Sequence, residues 1–588
     1  MLKSTRLRAA LRRHRGAWAV GLVAIMVANG FALLQPFLLG RGVDAVTRHQ
    51  GGRLPLIFLA ILGAAAGDAV FRFTQRLTIN RASRQIENEL RRDLVQHLLR
   101  LDQRFFQQIR TGDVMARATN DLSAVQQLLG MGLMNIANTI VIFIAAVTLM
   151  ALIDWQLTIL SVSLLTLLSL GFLLLGPQIQ KRFLKVQQEF AAVSSKAQEN
   201  FSGIRVIKAY VQEEHEQRRF RDVNQDYLKA NVAWARINSA LWPLFGLLAG
   251  LAGVVLLYVG GQHVVQHRIT IGQFIQFNTY LILLSWPMIA LGWVANMFQQ
   301  GAASMGRIEE VLRERPAIAS PPHPIVPERI RGEVTFDHVS FAYEGTPIFD
   351  DLSLQIPAGS MLAVVGSTGS GKSTLVRLLT RVYDPKSGRI LLDGTDIRDL
   401  PLDLLRRSVG YVPQEAFLFS ETLAENITLG APGAPAEAVT AAAQRSRLSA
   451  DLEQFPDGFN TMIGERGVTL SGGQKQRTAI ARALIKDPAV LVMDDALSSV
   501  DTRTEEEILN GLREFMEGRT SIVIAHRVST VRSADQIIVL EDGRIVEQGS
   551  HAELLALGGE YATLYERQQL RRDLEEDAGI DPAVELQP

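Results

Sequence analysis

Hydrophobic and polar residues are distributed differently in the two halves of the chain. In the first half, six apolar segments reach the roughly 20 residues that a bilayer-spanning helix needs. They lie near 17–39, 54–76, 131–153, 155–176, 239–261 and 272–298. Little more than Asp154 separates the third segment from the fourth, which predicts a tight hairpin. The second half alternates shorter apolar runs with polar turns, as a soluble α/β domain does.

The connections after the second and fourth spans are long and charged, yet they keep a helical period. Such helices are too polar for lipid, so we expect them to project into the cytoplasm as continuations of the spans. The N-terminus, MLKSTRLRAALRRHRG, is basic without an acid, and its leucines recur at roughly helical spacing. It is interpreted as an amphipathic helix on the cytoplasmic membrane surface, held by anionic lipid headgroups, or as a basic flank that keeps the N-terminus inside.

Few polar residues fall within the spans. Asp68 and Arg72 lie one helical turn apart and are expected to pair, either along a substrate path or as a structural ion pair. The sixth span is unusually polar for a lipid-facing helix. Its polar residues either line a cavity or bond between helices: Gln273, Gln276, Asn278, Tyr280, Asn296, Gln299 and Gln300.

Composition narrows the possible classes of function. The 588 residues are too many for one domain, and lysine plus arginine equals aspartate plus glutamate, 60 against 60. Net charge therefore favours neither nucleic acid nor an acidic partner. The chain has no cysteine, which excludes disulfides, thiolate metal sites and a cysteine nucleophile.

A phosphate-binding loop opens the soluble half after a Pro-rich stretch at 316–332. The apolar run MLAVVG leads into GSTGSGKST at 366–374, which matches the P-loop pattern between a strand and a helix. Backbone N–H groups of such a loop wrap phosphates, Lys372 reaches the β- and γ-phosphates, and Ser373 places a hydroxyl on Mg²⁺. The predicted cofactor-binding residues here are Gly366, Ser367, Thr368, Gly369, Ser370, Gly371, Lys372, Ser373 and Thr374.

A second buried strand, VLVMD at 490–494, ends in Asp494. Ligands bind at the carboxyl ends of strands in open α/β sheets, so Asp494 is the predicted Mg²⁺ residue. These two motifs together predict an NTPase and nothing narrower.

The motif LSGGQKQR at 470–477 is more specific. With it, nearly the whole chain resembles a bacterial ABC exporter half-transporter. The resemblance implies a multi-domain fold in which a six-helix α-helical transmembrane domain precedes an α/β P-loop nucleotide-binding domain. The expected boundaries are an elbow helix 1–16, a transmembrane domain 17–312, a linker 313–330, a nucleotide-binding domain 331–570 and a polar tail 571–588.

Further site residues follow from that resemblance. Tyr343 takes the adenine-stacking position, although a packed strand aromatic is the alternative, and Gln414 in YVPQ takes the position that senses Mg²⁺ and touches the membrane domain. The signature residues clamp ATP bound to the opposite subunit. Glu465 lies in a segment next to the coupling loops, and residues 110–121 and 198–210 are the candidates for those loops. The signature, D-loop and switch positions are Ser471, Gly472, Gly473, Gln474, Asp501 and His526, the last with a core histidine as its alternative.

Asp495 stands where this family usually has the catalytic glutamate. One methylene fewer withdraws the carboxylate by up to about 1.5 Å, a C–C bond length. A misplacement of about 1 Å can cost on the order of 10²-fold in rate, so the sequence predicts a site that binds Mg-ATP and hydrolyses it slowly. The alternative is that the backbone shifts and Asp495 works as a weaker base.

The DDALSSVD segment and residues 286–312 resemble the degenerate-site subunit of heterodimeric, multidrug-resistance-like (Mdl-type) exporters. The resemblance implies ATP and Mg²⁺ as cofactors, a second half-transporter as partner, and an amphipathic drug or lipid as cargo. It implies a multi-pass protein of the bacterial plasma membrane with its nucleotide-binding domain in the cytoplasm. It also implies contact with membrane lipids and no nucleic-acid partner. A homodimeric lipid flippase or multidrug exporter in which Asp495 is a functional base is the main alternative. A regulator or receptor that gates another protein is a different class, which usually demands extra domains or spans, and none is visible.

Overall fold

The computed structural model describes residues 5–464, 467, 470–497, 502–525 and 531–577. Only the backbone is described at 165, 167–175, 241–242, 244–245, 248–249, 285–292, 502–506 and 571–577. The chain divides into two compact units. The first comprises Met1–Arg100 and Gln108–Glu314, and the second comprises Leu101–Gln107 and Arg315–Pro588. The boundaries expected from sequence at 16, 312, 330 and 570 remain predictions.

The first unit is helical. Its helices are α1 (Thr5–Arg13), α2 (Arg15–Thr47), α3 (Leu54–Leu98), α4 (Gln103–Gln108, most of which falls in the second unit), α5 (Thr111–Ala116), α6 (Leu122–Gln127), α7 (Leu133–Ile153), α8 (Trp155–Ser202), α9 (Ile204–Ala209), α10 (Glu213–Val255), α11 (Gly261–Val265) and α12 (Ile271–Arg313). A 3-10 helix at Gly51–Arg53 precedes α3, and π-helical segments continue the helices at Arg117–Asp121, Leu128–Gly132 and Leu256–Gly260.

All six predicted spans are helical: four lie within α2, α3, α8 and α12, the third begins just before α7, and the fifth continues from α10 into α11. By length and composition, the described residues include three helical stretches able to cross a membrane: Arg15–Thr47, Gly51–Leu98 and Thr111–Ile153. Shorter apolar helical stretches occupy Trp155–Leu164, Gly250–Val265 and Ile271–Leu284. Helices α3, α8, α10 and α12 have 43 to 48 residues, about twice what a bilayer needs. The helical continuation of spans two and four into charged sequence is therefore confirmed.

The hairpin between α7 and α8 is as tight as expected. Helix α7 ends at Ile153, α8 begins at Trp155, and Asp154 caps α8 by accepting a 3.0 Å hydrogen bond from the Leu157 N–H. The other carboxylate oxygen of Asp154 lies 2.6 Å from Nδ1 of His263 on α11. One aspartate thus satisfies a helix terminus and joins the hairpin to the end of the fifth span.

The N-terminal helix differs in part from the expectation. Leu7 and Ala10 are buried, at 0% and 2% exposure, where α1 packs against α2 and α3. Arg13 and His14 both reach Glu89 on α3, at 3.1 Å and 3.0 Å. The apolar face of α1 is therefore covered by protein, and its outer face carries exposed arginines.

Two polar features of the spans are resolved as contacts within the protein. Arg72 Nε donates to both carboxylate oxygens of Asp68, at 2.7 Å and 2.8 Å, so the predicted pair forms. Gln276 donates to the Tyr280 hydroxyl at 3.4 Å, which in turn donates to the Leu33 carbonyl oxygen at 3.0 Å. For Gln276 and Tyr280 the structure favours bonding between helices over lining a cavity.

Helices α2 and α12 touch through their backbones. A Cβ placed on Gly272 would lie 2.1 Å from the Gly40 carbonyl oxygen and 2.5 Å from Cγ of Asp44. Asp44 accepts from the Gly272 N–H at 2.9 Å and from the Thr270 hydroxyl at 2.8 Å, which satisfies the first turn of α12. Two glycines therefore allow an approach that any side chain would block.

The second unit has two sheets. Its elements are β1 (Val334–Tyr343), β2 (Thr346–Ile356), β3 (Met361–Val365), α13 (Lys372–Leu379), β4 (Ser387–Leu392), β5 (Thr395–Asp396), α14 (Leu402–Ser408), β6 (Val409–Val412), α15 (Leu423–Thr428), α16 (Ala436–Arg445), α17 (Gly472–Leu484), β7 (Val490–Asp494), α18 (Thr502–Met516), β8 (Thr520–Ile524), β9 (Gln536–Glu541) and β10 (Arg544–Gly549). Single turns at Leu448–Gln454 and Gly458–Asn460 precede α17, and the helices His551–Leu557 and Glu560–Asp577 follow β10.

The larger sheet has the order β10-β9-β3-β8-β7-β6, parallel except for β10. All five residues of β7 and of β8 are buried, as central strands of a parallel sheet are. The smaller sheet is antiparallel in the order β2-β1-β4-β5. One face of the larger sheet packs with the smaller sheet and α13 and the other with α17 and α18, so the fold class expected from sequence is correct.

The predicted start of the polar tail lies within a helix, and this boundary stays a prediction. The expected start at 571 falls inside the helix Glu560–Asp577, which runs without interruption across the position. The segment LRRDLEED has no proline or glycine to stop a helix, and polarity alone does not mark a boundary.

We expect Gly272→Ala to lower the unfolding temperature of the purified protein, because the new methyl group collides with the Gly40 carbonyl oxygen. Overpacking of this kind costs about 1–3 kcal/mol. Gly253→Ala on α10 is the matched control, since its methyl group would have no described atom within 4 Å. Thermal unfolding in detergent measures both, and equal unfolding temperatures for the two variants would contradict the close approach.

Candidate functional site

The P-loop connects β3 to α13 at the carboxyl edge of the larger sheet. Gly366 begins it at φ 149°, and a Cβ there would lie 2.1 Å from the Leu540 carbonyl oxygen, so only glycine fits. The Lys372 ammonium donates to the carbonyl oxygens of Gly366 at 2.9 Å and Ser367 at 2.8 Å. Ser370 is 3% exposed, and its buried hydroxyl has no hydrogen-bond partner among the residues that the structure describes. The loop thus presents the positively charged Lys372 ammonium and the Ser370 hydroxyl donor, which are groups that an anion-binding site needs.

Asp494 lies at the end of β7 and faces α13. Ser373, the second residue of α13, donates to its Oδ1 at 3.0 Å, and the Tyr411 hydroxyl donates to its Oδ2 at 3.3 Å. Burial raises the pKa of the Asp494 carboxyl, an effect that these two hydrogen bonds oppose. Burial makes the ionised form of this carboxyl costly, and a cation bound next to it would lower that cost.

The same burial acts on the basic groups nearby. Burial lowers the pKa of the Lys372 ammonium, and the carboxylates of Asp494 and Asp495 oppose that change. Burial and the Asp494 carboxylate raise the pKa of the Tyr411 phenol above its ordinary value, so the phenol remains a hydrogen-bond donor at neutral pH.

The donor set fits Mg²⁺. Ser373 offers a hydroxyl, Asp494 a carboxylate and Gln414 a side-chain amide oxygen, and hard oxygen ligands of this kind suit a small divalent cation completed by phosphate and water. Ser373 and Asp494 are already in contact, whereas Gln414 is turned to a different acid. A bound Mg²⁺ would neutralise phosphate charge at this edge of the sheet.

The acid that Gln414 contacts is Asp495. The Gln414 amide donates to its Oδ2 at 3.1 Å. Asp495 adopts a left-handed backbone, φ 48°, and its N–H donates to the Ile524 carbonyl oxygen of β8 at 2.9 Å. The hydrogen bonding to β8 thus continues for one residue beyond the end of β7, and the Asp495 side chain contacts the loop that follows β6.

Tyr343 ends β1 within an aromatic cluster. Its ring meets Phe341 and Tyr383 edge to face, with centroids 4.8 Å and 5.2 Å away. Its hydroxyl lies 3.4 Å from the Thr374 hydroxyl and accepts from Arg377 at 3.5 Å. The packing holds Tyr343 next to the first turn of α13, where the predicted stacking on adenine needs a ring.

The signature residues form the start of α17, a 13-residue helix. Ser471 and Gln474 make a reciprocal capping box, with hydrogen bonds of 3.2 Å and 3.0 Å. Ser471 and Gly472 are exposed. Arg477, one turn further along, donates to both carboxylate oxygens of Asp451 at 2.8 Å and 2.9 Å, which anchors the helix behind its exposed end.

The structure therefore brings most predicted residues into two places. The P-loop residues, Tyr343, Gln414, Asp494 and Asp495 are linked by the contacts above, whereas Ser471 and Gln474 bond within their own cap and to Gln454. Asp501 and His526 lie outside the described residues, as does Glu465. The roles assigned to all these residues stay predictions.

Two residues of the site were missed by sequence reasoning. Arg377 follows Ser373 by one helical turn, so its position on the same face of α13 could have been noticed. Tyr411 lies on β6, and no local pattern reveals that β6 pairs with β7. Its proximity to Asp494 depends on sheet order alone.

These features define a class: a P-loop ATPase unit on the same chain as a helical membrane unit. Residues 18–288 match the ABC transporter transmembrane region, and residues 349–498 match the ABC transporter ATPase domain. The chain belongs to the ABC transporter family, among multidrug-resistance-like exporters. It is a multi-pass inner-membrane protein whose soluble unit is an ATP-binding ABC ATPase domain, and its relatives support ATP-driven export.

Its relatives cover almost all of it. The chain is 38% identical over 568 residues to the probable multidrug resistance ABC transporter ATP-binding/permease protein YheI of Bacillus subtilis, covering 96% of this chain and 97% of that protein. It is 36% identical over 579 residues to the multidrug resistance-like ATP-binding protein MdlA of Escherichia coli, covering 98% and 96%. An ATP-dependent lipid A-core flippase of Syntrophus aciditrophicus is 33% identical over 572 residues, covering 97% and 95%.

Its fold matches a solved exporter. The structure of a bacterial Atm1-family ABC exporter with ATP bound superposes with a TM-score of 0.80 at 32% identity, covering 95% of this chain and 99% of that one. The similarity therefore extends over both units and is not limited to the ATPase motifs.

We expect Tyr343→Leu to weaken ATP binding by about tenfold, because stacking of a base on an aromatic ring contributes about 1–3 kcal/mol. Tyr343→Phe keeps the ring and its edge-to-face neighbours, so it is expected to retain near wild-type affinity. Equilibrium binding of ATP to the purified chain measures both. An equal loss in the two variants would assign the effect to the hydroxyl and would remove the stacking role.

Proposed function

We propose that the chain exports amphipathic or hydrophobic compounds, drugs or lipids, across the bacterial plasma membrane as the degenerate-site subunit of a heterodimeric ABC exporter. The near full-length similarity to proteins described as multidrug resistance transporters and as a lipid A-core flippase supports this class of cargo. The long helices of the first unit supply the membrane path in this proposal.

The observation that carries the proposal is the pair Asp494–Asp495 at the end of β7. The Asp494 carboxylate is held against Ser373, the residue proposed to hold Mg²⁺ with it. Asp495 follows, but its shorter side chain is engaged by the Gln414 amide at 3.1 Å. An attacking water needs a base at the correct distance, and a deficit of about 1 Å lowers the rate on the order of 10²-fold.

ATP binding does not depend on that distance. In the proposal, the P-loop and Lys372 bind the phosphates, Tyr343 stacks on adenine, and Ser373, Asp494 and Gln414 hold Mg²⁺. Charge neutralisation by Lys372 and the loop N–H groups is separate from activation of water. The site would therefore bind Mg-ATP tightly and turn it over slowly.

The signature of this chain is proposed to act on the partner's ATP. Ser471 caps a helix whose first turn is exposed, and helix N-termini favour anions. In a head-to-tail dimer, Ser471 to Gln474 would complete the competent site of a second half-transporter, together with Asp501 and His526 acting at the composite sites.

A homodimer in which Asp495 is a working base is the second candidate. The P-loop contacts of this chain are intact, and the Gln414–Asp495 hydrogen bond places the acid in the network that a base would need. Lipid A-core flippases are among the relatives, which favours a lipid as cargo in that case.

Asp495→Glu should increase ATP turnover by the chain alone on the order of 10²-fold, because the added methylene restores the missing reach. The measurement is steady-state ATP hydrolysis by the full chain in lipid nanodiscs, with the oligomeric state measured on the same sample. Asp495→Asn, which removes the charge at nearly constant size, is the matched control and is expected to leave the slow wild-type rate unchanged.

Brisk turnover by a wild-type homodimer that Asp495→Asn abolishes would instead establish Asp495 as the base and refute the degenerate site. ATP binding with negligible turnover, together with a gain in Asp495→Glu, would direct the search to a partner chain that carries glutamate at the equivalent position.

A further inference from the structure

Tyr411 is the first residue of YVPQ, but only Gln414 of that motif has been given a role at the ATP site. It is the third residue of β6, Val409–Val412, and precedes Gln414 by three positions. Strand β6 pairs in parallel with β7, and Tyr411 lies opposite Val492. Side chains two residues apart share a face of a strand, so Val492 and Asp494 point to the side where Tyr411 lies. Sheet register therefore directs the Tyr411 ring towards the acid at the end of β7.

The two oxygens of Asp494 have donors from different elements. Ser373 on α13 donates to Oδ1 at 3.0 Å, and the Tyr411 phenol donates to Oδ2 at 3.3 Å. A carboxylate bonded on one oxygen can still rotate about its Cβ–Cγ bond, whereas donors on both oxygens define its plane. The Tyr411 ring is partly buried against the core shared by both sheets, so its hydroxyl is a fixed point.

Ser373 cannot serve as the fixed donor if it also meets the metal. A serine hydroxyl that contacts Mg²⁺ through its oxygen changes its hydrogen bonding when the metal arrives. The Tyr411 phenol on β6 is not a proposed metal ligand. It can therefore keep its hydrogen bond to Oδ2 of Asp494 when the metal binds. Hydrogen bonds that orient a metal ligand typically change metal affinity by about 10- to 100-fold when they are removed.

We propose that Tyr411 is a positioning residue of the ATP site, whose phenol holds the Asp494 carboxylate through Oδ2, the oxygen that Ser373 does not contact, and so prepares it for Mg²⁺. The inference rests on the proposed role of Asp494 at Mg²⁺. Tyr411 precedes the Gln414 loop on the same strand, so it also couples the orientation of Asp494 to the segment that contacts Asp495.

The test is metal affinity, measured on the full chain in lipid nanodiscs. Mn²⁺ replaces Mg²⁺ as a paramagnetic probe, and its binding in the presence of a non-hydrolysable ATP analogue is followed by electron paramagnetic resonance. Tyr411→Phe removes only the hydroxyl and is expected to weaken Mn²⁺ binding by about tenfold. Binding of the same analogue in EDTA, without metal, is expected to be unchanged and reports that the variant is folded.

Tyr561→Phe is the matched control, because it removes a buried phenol that contacts His551 at 2.7 Å instead of Asp494. It should leave Mn²⁺ binding as in the wild type. An Mn²⁺ affinity of Tyr411→Phe within twofold of the wild type would overturn the inference. An equal loss of analogue binding with and without metal would overturn it too, because that pattern indicates a general structural role.

Asp494→Asn separates this inference from the function on which it rests. Loss of Mn²⁺ binding in Asp494→Asn with no effect in Tyr411→Phe would refute the role of Tyr411 alone. Retention of Mn²⁺ binding in Asp494→Asn would refute the proposed metal role of Asp494, and with it the inference.

Discussion

A buried carboxylate at the end of a central strand organises the ATPase unit. Asp494 is 3% exposed, and burying a charge without partners costs several kcal/mol. Its two donors come from α13 and β6, so the P-loop helix, the β7 strand and the strand that leads to Gln414 are linked through one side chain. The residual cost of burial, seen as a raised pKa of Asp494, is what a bound divalent cation would relieve. In the proposed site, stability and metal binding would therefore depend on the same group.

The membrane unit obeys a related constraint, since polar groups in lipid must find partners within the protein. Asp44 satisfies the first turn of α12, Asp154 caps α8 and contacts His263, and the Tyr280 hydroxyl donates to a carbonyl oxygen of α2. Each of these side chains contacts an element other than its own helix. These polar residues thus connect helices through hydrogen bonds. The close backbone approach of Gly40 and Gly272 is a further contact between α2 and α12.

In the proposed function, binding and hydrolysis of ATP depend on different groups. Phosphate recognition would depend on the P-loop backbone and on Lys372, whose ammonium donates to the Gly366 and Ser367 carbonyl oxygens. Hydrolysis would depend on how far a carboxylate reaches from the left-handed position after β7. Because these two requirements reside in different groups, a single shortened side chain can leave the first intact and impair the second. In a dimer with a competent partner, such a chain would still contribute its signature helix.

The sequence by itself determined the spans, the α7–α8 hairpin, the P-loop and the class of ATPase, because each depends on local periodicity or on contiguous residues. It also placed Asp494 at a strand end, since the apolar run VLVMD reads only as a buried strand. It missed the burial of Leu7 and the donor Tyr411. Those features depend on which helices and strands become neighbours. Tertiary structure alone decided them, because strand order and helix packing bring together residues that are dozens of positions apart.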